Sequence, residues 1–337
     1  MDSGARDLRR GPLLAQRLFP NRDAHTGGLW KRRPDGYDSW VMSERDDWRR
    51  EDDFVEEEQY LRSRLGTEGE KRPEPAARIL IGTSGWSYRD WLGSFYAAGT
   101  RPEDYLRSYA TSFATVEIDS TFYAVPKASV VEGWEEKSPA DFIFSAKFPR
   151  DITHGASGLE TGGDLTRLFL ARMSLLKDKL GPLLLQFPPF FRVGRLEALR
   201  AFLEALPREF RYAVELRHAE WHKPEILDLL SGLNIAWAMG VGPDSPAVRP
   251  LTADFAYLRW LGDRQLEVFS QVQIERKDEI QEWAHWIEKQ RRFLHAIYGY
   301  FNNHYAGHGP ASARSLMAML GLKPAAPPAE RQGELFG

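Results

Sequence analysis

Residues 115–123 read TVEIDSTFY, and the alternation within them decides the fold. Val116 and Ile118 share one face of an extended segment, while Glu117, Asp119 and Thr121 share the other. An apolar face backed by a carboxylate face suits a parallel strand whose outer side meets helices and whose inner side meets a lumen. Two further runs repeat the pattern. In YAVELRH (212–218), Val214 and Leu216 oppose Glu215 and Arg217; in FIFSAKF (142–148), Phe142, Phe144 and Ala146 oppose Ile143, Ser145 and Lys147.

Around these stretches, short β-rich runs succeed one another from Arg78: RILIGTSG, TVEIDSTF, DFIFSAKFP, GPLLLQFPP, RYAVELRH, NIAWAMG, FAYLRWLGD and HAIYGYFNN. Most gaps carry helix-period segments, among them RPEDYLRSYAT, KASVVEGWEEKS, LTRLFLARMSLLKDKL, RLEALRAFLEAL and DEIQEWAHWIEKQRRF. Strands alternating with helices imply parallel βαβ units. Eight such units in about 245 residues predict an α/β chain folded as a closed (β/α)8 TIM barrel over residues 78–323. The connection after the sixth strand shows no clear helix. GTSGWS lacks the G-x-G-x-x-G spacing of a dinucleotide site.

The flanks differ. Residues 1–77 are crowded with Asp, Glu and Arg, as in SERDDWRREDDFVEEEQYLRSRL, and read as a charged, largely disordered N-terminal extension with one helix over 43–65. This arm is a candidate contact for another protein. Residues 324–337, rich in Pro and Ala, read as a disordered tail. The chain has 337 residues, 42% of them hydrophobic, which suffices for one large core. Its formal charge of −3 offers no bulk attraction for nucleic acid or an anionic membrane, so any basic feature must be local. Cysteine is absent, which excludes disulfides, thiolate catalysis and Cys-ligated metal, and fits a reducing compartment. With no signal-peptide core and no membrane-spanning run, the expected location is the cytoplasm.

The active face of such a barrel lies at the C-terminal strand ends. Collected there by parity are Glu117, Asp119, Lys147, Gln186, Glu215, Arg217, Arg259 and Asn302, the last in register with Tyr298 and Tyr300. Buried charges need partners, so Glu117 and Glu215 should pair across the lumen with Lys147, Arg217 or Arg259. The three cations are expected to meet at similar depth and to hold a phosphate or carboxylate. Glu117, Lys147 and Glu215 are the candidate catalytic groups, the glutamates for acid–base work and Lys147 alternatively as a Schiff-base nucleophile. Asp119, Gln186, Arg217, Arg259, Asn302, Tyr300 and Trp86 are the candidate substrate-binding residues. Parity gives Asn302 to the rim and makes Asn303 the cap of the next turn. Trp86, Tyr88, Trp91, Phe95, Tyr96, Phe122 and Tyr123 form an aromatic group near the same mouth, continued by Phe187 to Phe190. No metal site is expected: the histidines are scattered, and HAEWH (218–222) is not H-E-x-x-H.

IGTSGWSYRDWLGSFY, TVEIDSTFYAVP, FIFSAKFPRDITH, GPLLLQFPP, AVELRHAEW and YFNNHYAGHGPASA resemble, in order, the DUF72 (YecE-like) family over residues 79–322. The resemblance implies a TIM barrel but no settled reaction or cofactor. Against the family pattern, Leu261 replaces a histidine after the seventh strand and Asp119 an asparagine after the second. The reading is therefore a small anionic substrate handled by acid–base chemistry at the mouth. Two alternatives stand beside it: a metal-dependent phosphodiesterase of the endonuclease IV type, and a non-catalytic module binding nucleic acid or another ligand.

Overall fold

The computed structural model of the chain describes residues 77–242, 249–262 and 265–323, together with two short strands, Lys31–Arg32 and Trp40–Val41. That two-residue pair is antiparallel. The expected N-terminal helix over 43–65 and the tail 324–337 lie outside the described residues.

Eight parallel strands form the barrel: β1 Arg78–Thr83, β2 Thr115–Ile118, β3 Ile143–Lys147, β4 Leu180–Gln186, β5 Tyr212–Glu215, β6 Ala236–Val241, β7 Phe255–Trp260 and β8 Ala296–Phe301. Their order around the sheet is β1-β8-β7-β6-β5-β4-β3-β2, so each strand lies beside its sequence neighbours. The protein is a (β/α)8 barrel. Helices α1 Tyr105–Ala110 and α2 Ala128–Lys137 follow β1 and β2; α3 Arg150–Thr153, α4 Gly158–Thr161 and α5 Gly163–Met173 follow β3. Then come α6 Leu196–Ala205 after β4, α7 Pro224–Gly232 after β5, α8 Lys277–Gln290 after β7 and α9 Gly309–Met319 after β8. Between β6 and β7 the described residues contain no helix.

Side chains from the inner parity pack the lumen: Leu80, Ile143, Leu184, Ala213, Ala236, Ala238, Phe255, Tyr257, Tyr298 and Tyr300 are one buried cluster. Small residues on β5 and β6 opposite tyrosines on β7 and β8 fill the interior as alternating layers. The barrel closes irregularly. β1 and β2 share only a bridge between Ser84 and Glu117, with the Gly85 N–H donating to the Glu117 carbonyl at 2.8 Å. Below the bridge the hydroxyl of Tyr109, on α1, stands in for the missing ladder. It accepts from the Thr83 N–H at 2.9 Å and donates to the Thr115 carbonyl at 3.0 Å. Gly82 makes this approach feasible, because a Cβ there would lie 2.2 Å from the Thr115 oxygen.

Candidate active site at the barrel mouth

Arg259 occupies the centre of the upper lumen and is 2% exposed. Its Nε and Nη2 each donate at 2.8 Å to one oxygen of Glu117, a bidentate fork, while Nη1 donates to Glu215 Oε2 at 2.5 Å and to Gln186 Oε1 at 3.3 Å. Glu117 is fully buried and also accepts from Ser84 Oγ at 2.9 Å and from the Tyr257 hydroxyl at 2.7 Å. The other oxygen of Glu215 accepts from Arg217 Nε at 2.6 Å. Two carboxylates and two guanidiniums thus form a chain of alternating charge, neutral as a unit. Five candidate residues from four strands and the turn after β5 are in it.

The electrostatics follow from the geometry. Burial alone would raise the Glu215 carboxyl, but Arg259 and Arg217 outweigh it and hold the group at about 2. Burial works against the charge on Arg259, yet Glu117 and Glu215 hold its pKa well above the ordinary value. Burial, and then the neighbouring Glu117, push the Tyr257 hydroxyl upward, so it stays a hydrogen-bond donor. A glutamate fixed at about 2 is a poor proton acceptor at neutral pH, and Glu117 has no solvent-facing surface. Both carboxylates anchor the arginines.

Lys147 and Asp119 form a second, shallower pair. The ammonium lies 3.3 Å from Asp119 Oδ1, an ion pair outside hydrogen-bond alignment, with side-chain exposures of 12% and 28%. Lys147 Nζ also stands 4.8 Å from the centre of the Phe122 ring. Phe122 also meets His154, at the end of α3, its ring 5.0 Å away and edge-on. Burial, then the charges of Lys147, Arg217 and Arg150, lower the His154 imidazole to about 4, against a smaller opposing effect of Glu215. Lys147 and Arg217 thus both act electrostatically on His154. Arg259, with 2% of its side chain exposed, lies deeper than Arg217 at 11% and Lys147 at 12%, so the expected three cations at one depth resolve into two shallower and one deeper.

Three candidates lie elsewhere. Tyr300 is fully buried lower in the lumen, where its hydroxyl meets Thr115 Oγ1 at 2.9 Å and Ser145 Oγ at 2.7 Å. Trp86 packs edge-on against Trp134 of α2 and Phe144, on the helix side of the sheet. Asn302 takes the capping role that parity assigned to Asn303, and Asn303 is buried. Asn302 Oδ1 caps the short 3-10 helix Asn303–Tyr305 by accepting from the His304 N–H at 3.0 Å. Asn303 is buried and accepts from Trp91 Nε1 at 3.2 Å and from the Gly309 N–H at 2.9 Å, tying α9 to the aromatic layer. Strand parity ends where the chain turns into the 3-10 helix.

Sequence reasoning missed Ser84 and Tyr257 as partners of Glu117. Tyr257 shares the parity of Arg259, which was the available signal. Of the aromatic group, Trp91 and Tyr96 are buried outside the β1–β2 seam, where they pack with Tyr109 and, through Phe95, Phe113. Tyr88 reaches the mouth, where burial and then the charges of Asp119 and Glu117 raise its hydroxyl. Among the described residues no three of His, Asp and Glu gather as a metal-binding group. No helix of the described residues is long and apolar enough to cross a membrane.

A family model described as a protein of unknown function, DUF72, matches residues 80–334. The chain belongs to this family. Among DUF72 relatives, the UPF0759 protein YecE of Escherichia coli K12 is 41% identical over 143 residues, 42% of this chain and 50% of YecE. The match to that relative thus spans half its length. UPF0759 protein YunF of Bacillus subtilis is 22% identical over 276 residues, covering 73% of this chain and 95% of YunF. A solved DUF72 protein from Thermotoga maritima is 27% identical, covers 72% of this chain and 99% of its own, and superposes with a TM-score of 0.59. One from Enterococcus faecalis, 21% identical with a TM-score of 0.60 over 74% of this chain and 98% of its own, shares the fold.

Proposed function

We propose that this DUF72 protein is an enzyme that binds a phosphate- or carboxylate-bearing small molecule at the C-terminal barrel mouth, with Lys147 and Arg217 gripping the anionic group. The observation that carries this reading is the placement of Lys147, at the end of β3, and Arg217, just after β5, at the C-terminal strand ends with side chains only 12% and 11% exposed. Cations gathered at a partly dry rim repel one another, and an anion between them relieves that repulsion. Arg217 bonds to Glu215 through Nε, which fixes the plane of its guanidinium and leaves the Nη edge as the gripping edge. Glu215 is thus a positioning residue, itself held by Arg259.

Two groups at the mouth can move a proton. Asp119 is a partly exposed carboxylate held beside Lys147, and His154 is neutral at pH 7 with a nitrogen lone pair to offer. A bound anion draws the His154 pKa upward and makes the imidazole a better base only when substrate is present. The buried glutamates take no part in proton transfer.

Titration calorimetry with inorganic phosphate and with acetate at pH 7 tests the reading. Saturable binding of at least one anion is expected, weakened about ten-fold or more in Arg217→Met and in Lys147→Met. Absence of binding, or wild-type affinity in both variants, would overturn it.

A further inference from the structure

We infer, on the basis of the anion site just proposed, that the ligand carries an aromatic or heteroaromatic ring beside its anionic group, and that Tyr123 and Phe190 hold that ring. Both side chains are 73% exposed, the highest values among the large hydrophobic residues described. Their places in the fold are specific. Tyr123 follows β2 and Phe190 follows β4, and the strand between them is β3, which supplies Lys147 and leads into His154. In strand order round the rim the sequence is therefore Tyr123, Lys147, Phe190, Arg217, aromatic and cationic residues in alternation.

Core packing does not explain them. Their chain neighbours do that work: Phe187 is fully buried, and Phe191 stacks between Phe187 at 4.3 Å and Trp221 at 5.1 Å. Phe122 lies 5.3 Å from Tyr123, 5.0 Å from His154 and 4.8 Å from Lys147 Nζ, so Tyr123 is one ring removed from the cation. Phe190 is presented on a turn stiffened by Pro188 and Pro189 and closed by the Phe191 N–H donating to the Pro188 carbonyl at 2.9 Å. A ring held out on a rigid turn loses little entropy when it meets a ligand. By contrast, the exposed side chains on outer helices, Val130, Leu168 and Met319, are aliphatic and 39–45% exposed. Aromatic faces next to ammonium and guanidinium groups suit a planar ring bearing a phosphate or carboxylate. With two rings alternating with two cations along one stretch of the rim rather than a basic track, the occupant is a small molecule and not a nucleic-acid strand.

The test compares phenyl phosphate with methyl phosphate by titration calorimetry on full-length protein and on the double variant Tyr123→Ala/Phe190→Ala. Because both residues are exposed, the variant should keep the wild-type melting temperature, which is measured first. Phenyl phosphate should bind wild type about ten-fold more tightly than methyl phosphate, and the gap should close to about two-fold in the double variant. Equal affinity of the two phosphates for wild type would overturn the inference while leaving the anion site standing. So would a gap that survives the double substitution. If neither phosphate binds, both readings fall. Tight, steeply salt-dependent binding of a single-stranded oligonucleotide without preference for phenyl phosphate would replace the small molecule with a nucleic acid.

Discussion

Replacing Arg259 by methionine would leave Glu117 and Glu215 in the upper lumen without the cation that bridges them. Removing one partner of a buried ion pair costs roughly 3–5 kcal/mol, because the remaining charge is uncompensated. Arg259→Met should lower the urea-unfolding free energy by about that amount; a loss under about 1 kcal/mol would show that the glutamates find other partners. Glu215 supplies a pH signature. Its folded pKa lies below the ordinary value of 4.5, so its stabilisation is complete above that value and is lost as pH falls towards about 2. Unfolding free energy should show an acid limb of roughly 3 kcal/mol between these values, missing in Glu215→Gln. At this scale much was legible in the sequence. Parity alone puts Glu117, Glu215 and Arg259 on inner faces, and burial then demands that they pair. Depth was not legible: nothing in FAYLRW says that its arginine reaches both carboxylates while Lys147 and Arg217 stay near the rim. The roles of Asn302 and Asn303 depend on a turn that strand periodicity does not describe.

The eight strands and most helices between them are readable from alternation and helical period, but the way β1 meets β2 is not. Closure brings together segments whose spacing round the barrel depends on all the others, and here it leaves a seam spanned by a side chain. Tyr109→Phe removes the hydroxyl that accepts from Thr83 and donates to Thr115. The loss should be about 1–3 kcal/mol, since buried backbone groups are left unsatisfied. Hydrogen exchange of the Thr83 amide should accelerate more than that of amides on β5; unchanged protection would mean that the seam is held by the Ser84–Glu117 bridge alone. A second element carries its own titration. His308 caps α9 by accepting from the Ala311 N–H at 3.2 Å, and burial, then Arg314, lower its pKa. A protonated ring cannot accept that bond. The α9 cap should be intact above the ordinary histidine value of 6.5 and weaken as pH falls below it, which exchange of the Ala311 amide reports. Pattern reading noticed the polar end of β8, but not that a histidine starts the helix beyond it.

For the whole molecule, the barrel's strand ladder begins at Arg78 and its last helix ends at Met319. A chain lacking residues 1–73 should therefore melt cooperatively within a few degrees of the full-length protein; loss of cooperativity would assign those residues to the core. The alternating Glu117–Arg259–Glu215–Arg217 chain plugs the top of that core with no net charge, and its outer end, Arg217, lies towards the mouth together with the Lys147–Asp119 pair. Alternation and helical period carried the architecture from sequence to fold, and the resemblance to a family of unknown function agreed with it but brought no chemistry. The mouth's character comes from loops after β2, β3, β4 and β5, where neither helical nor strand period applies. The most direct measurement of what that mouth does is an NMR titration of the His154 ring, assigned with His154→Gln, with and without saturating phosphate. The imidazole should titrate near 4 in the ligand-free protein and clearly higher with phosphate, as an anion between Lys147 and Arg217 offsets the cations that depress it. Titration near 6.5 without phosphate, or a pKa that phosphate leaves unmoved, would contradict an anion site at the barrel mouth.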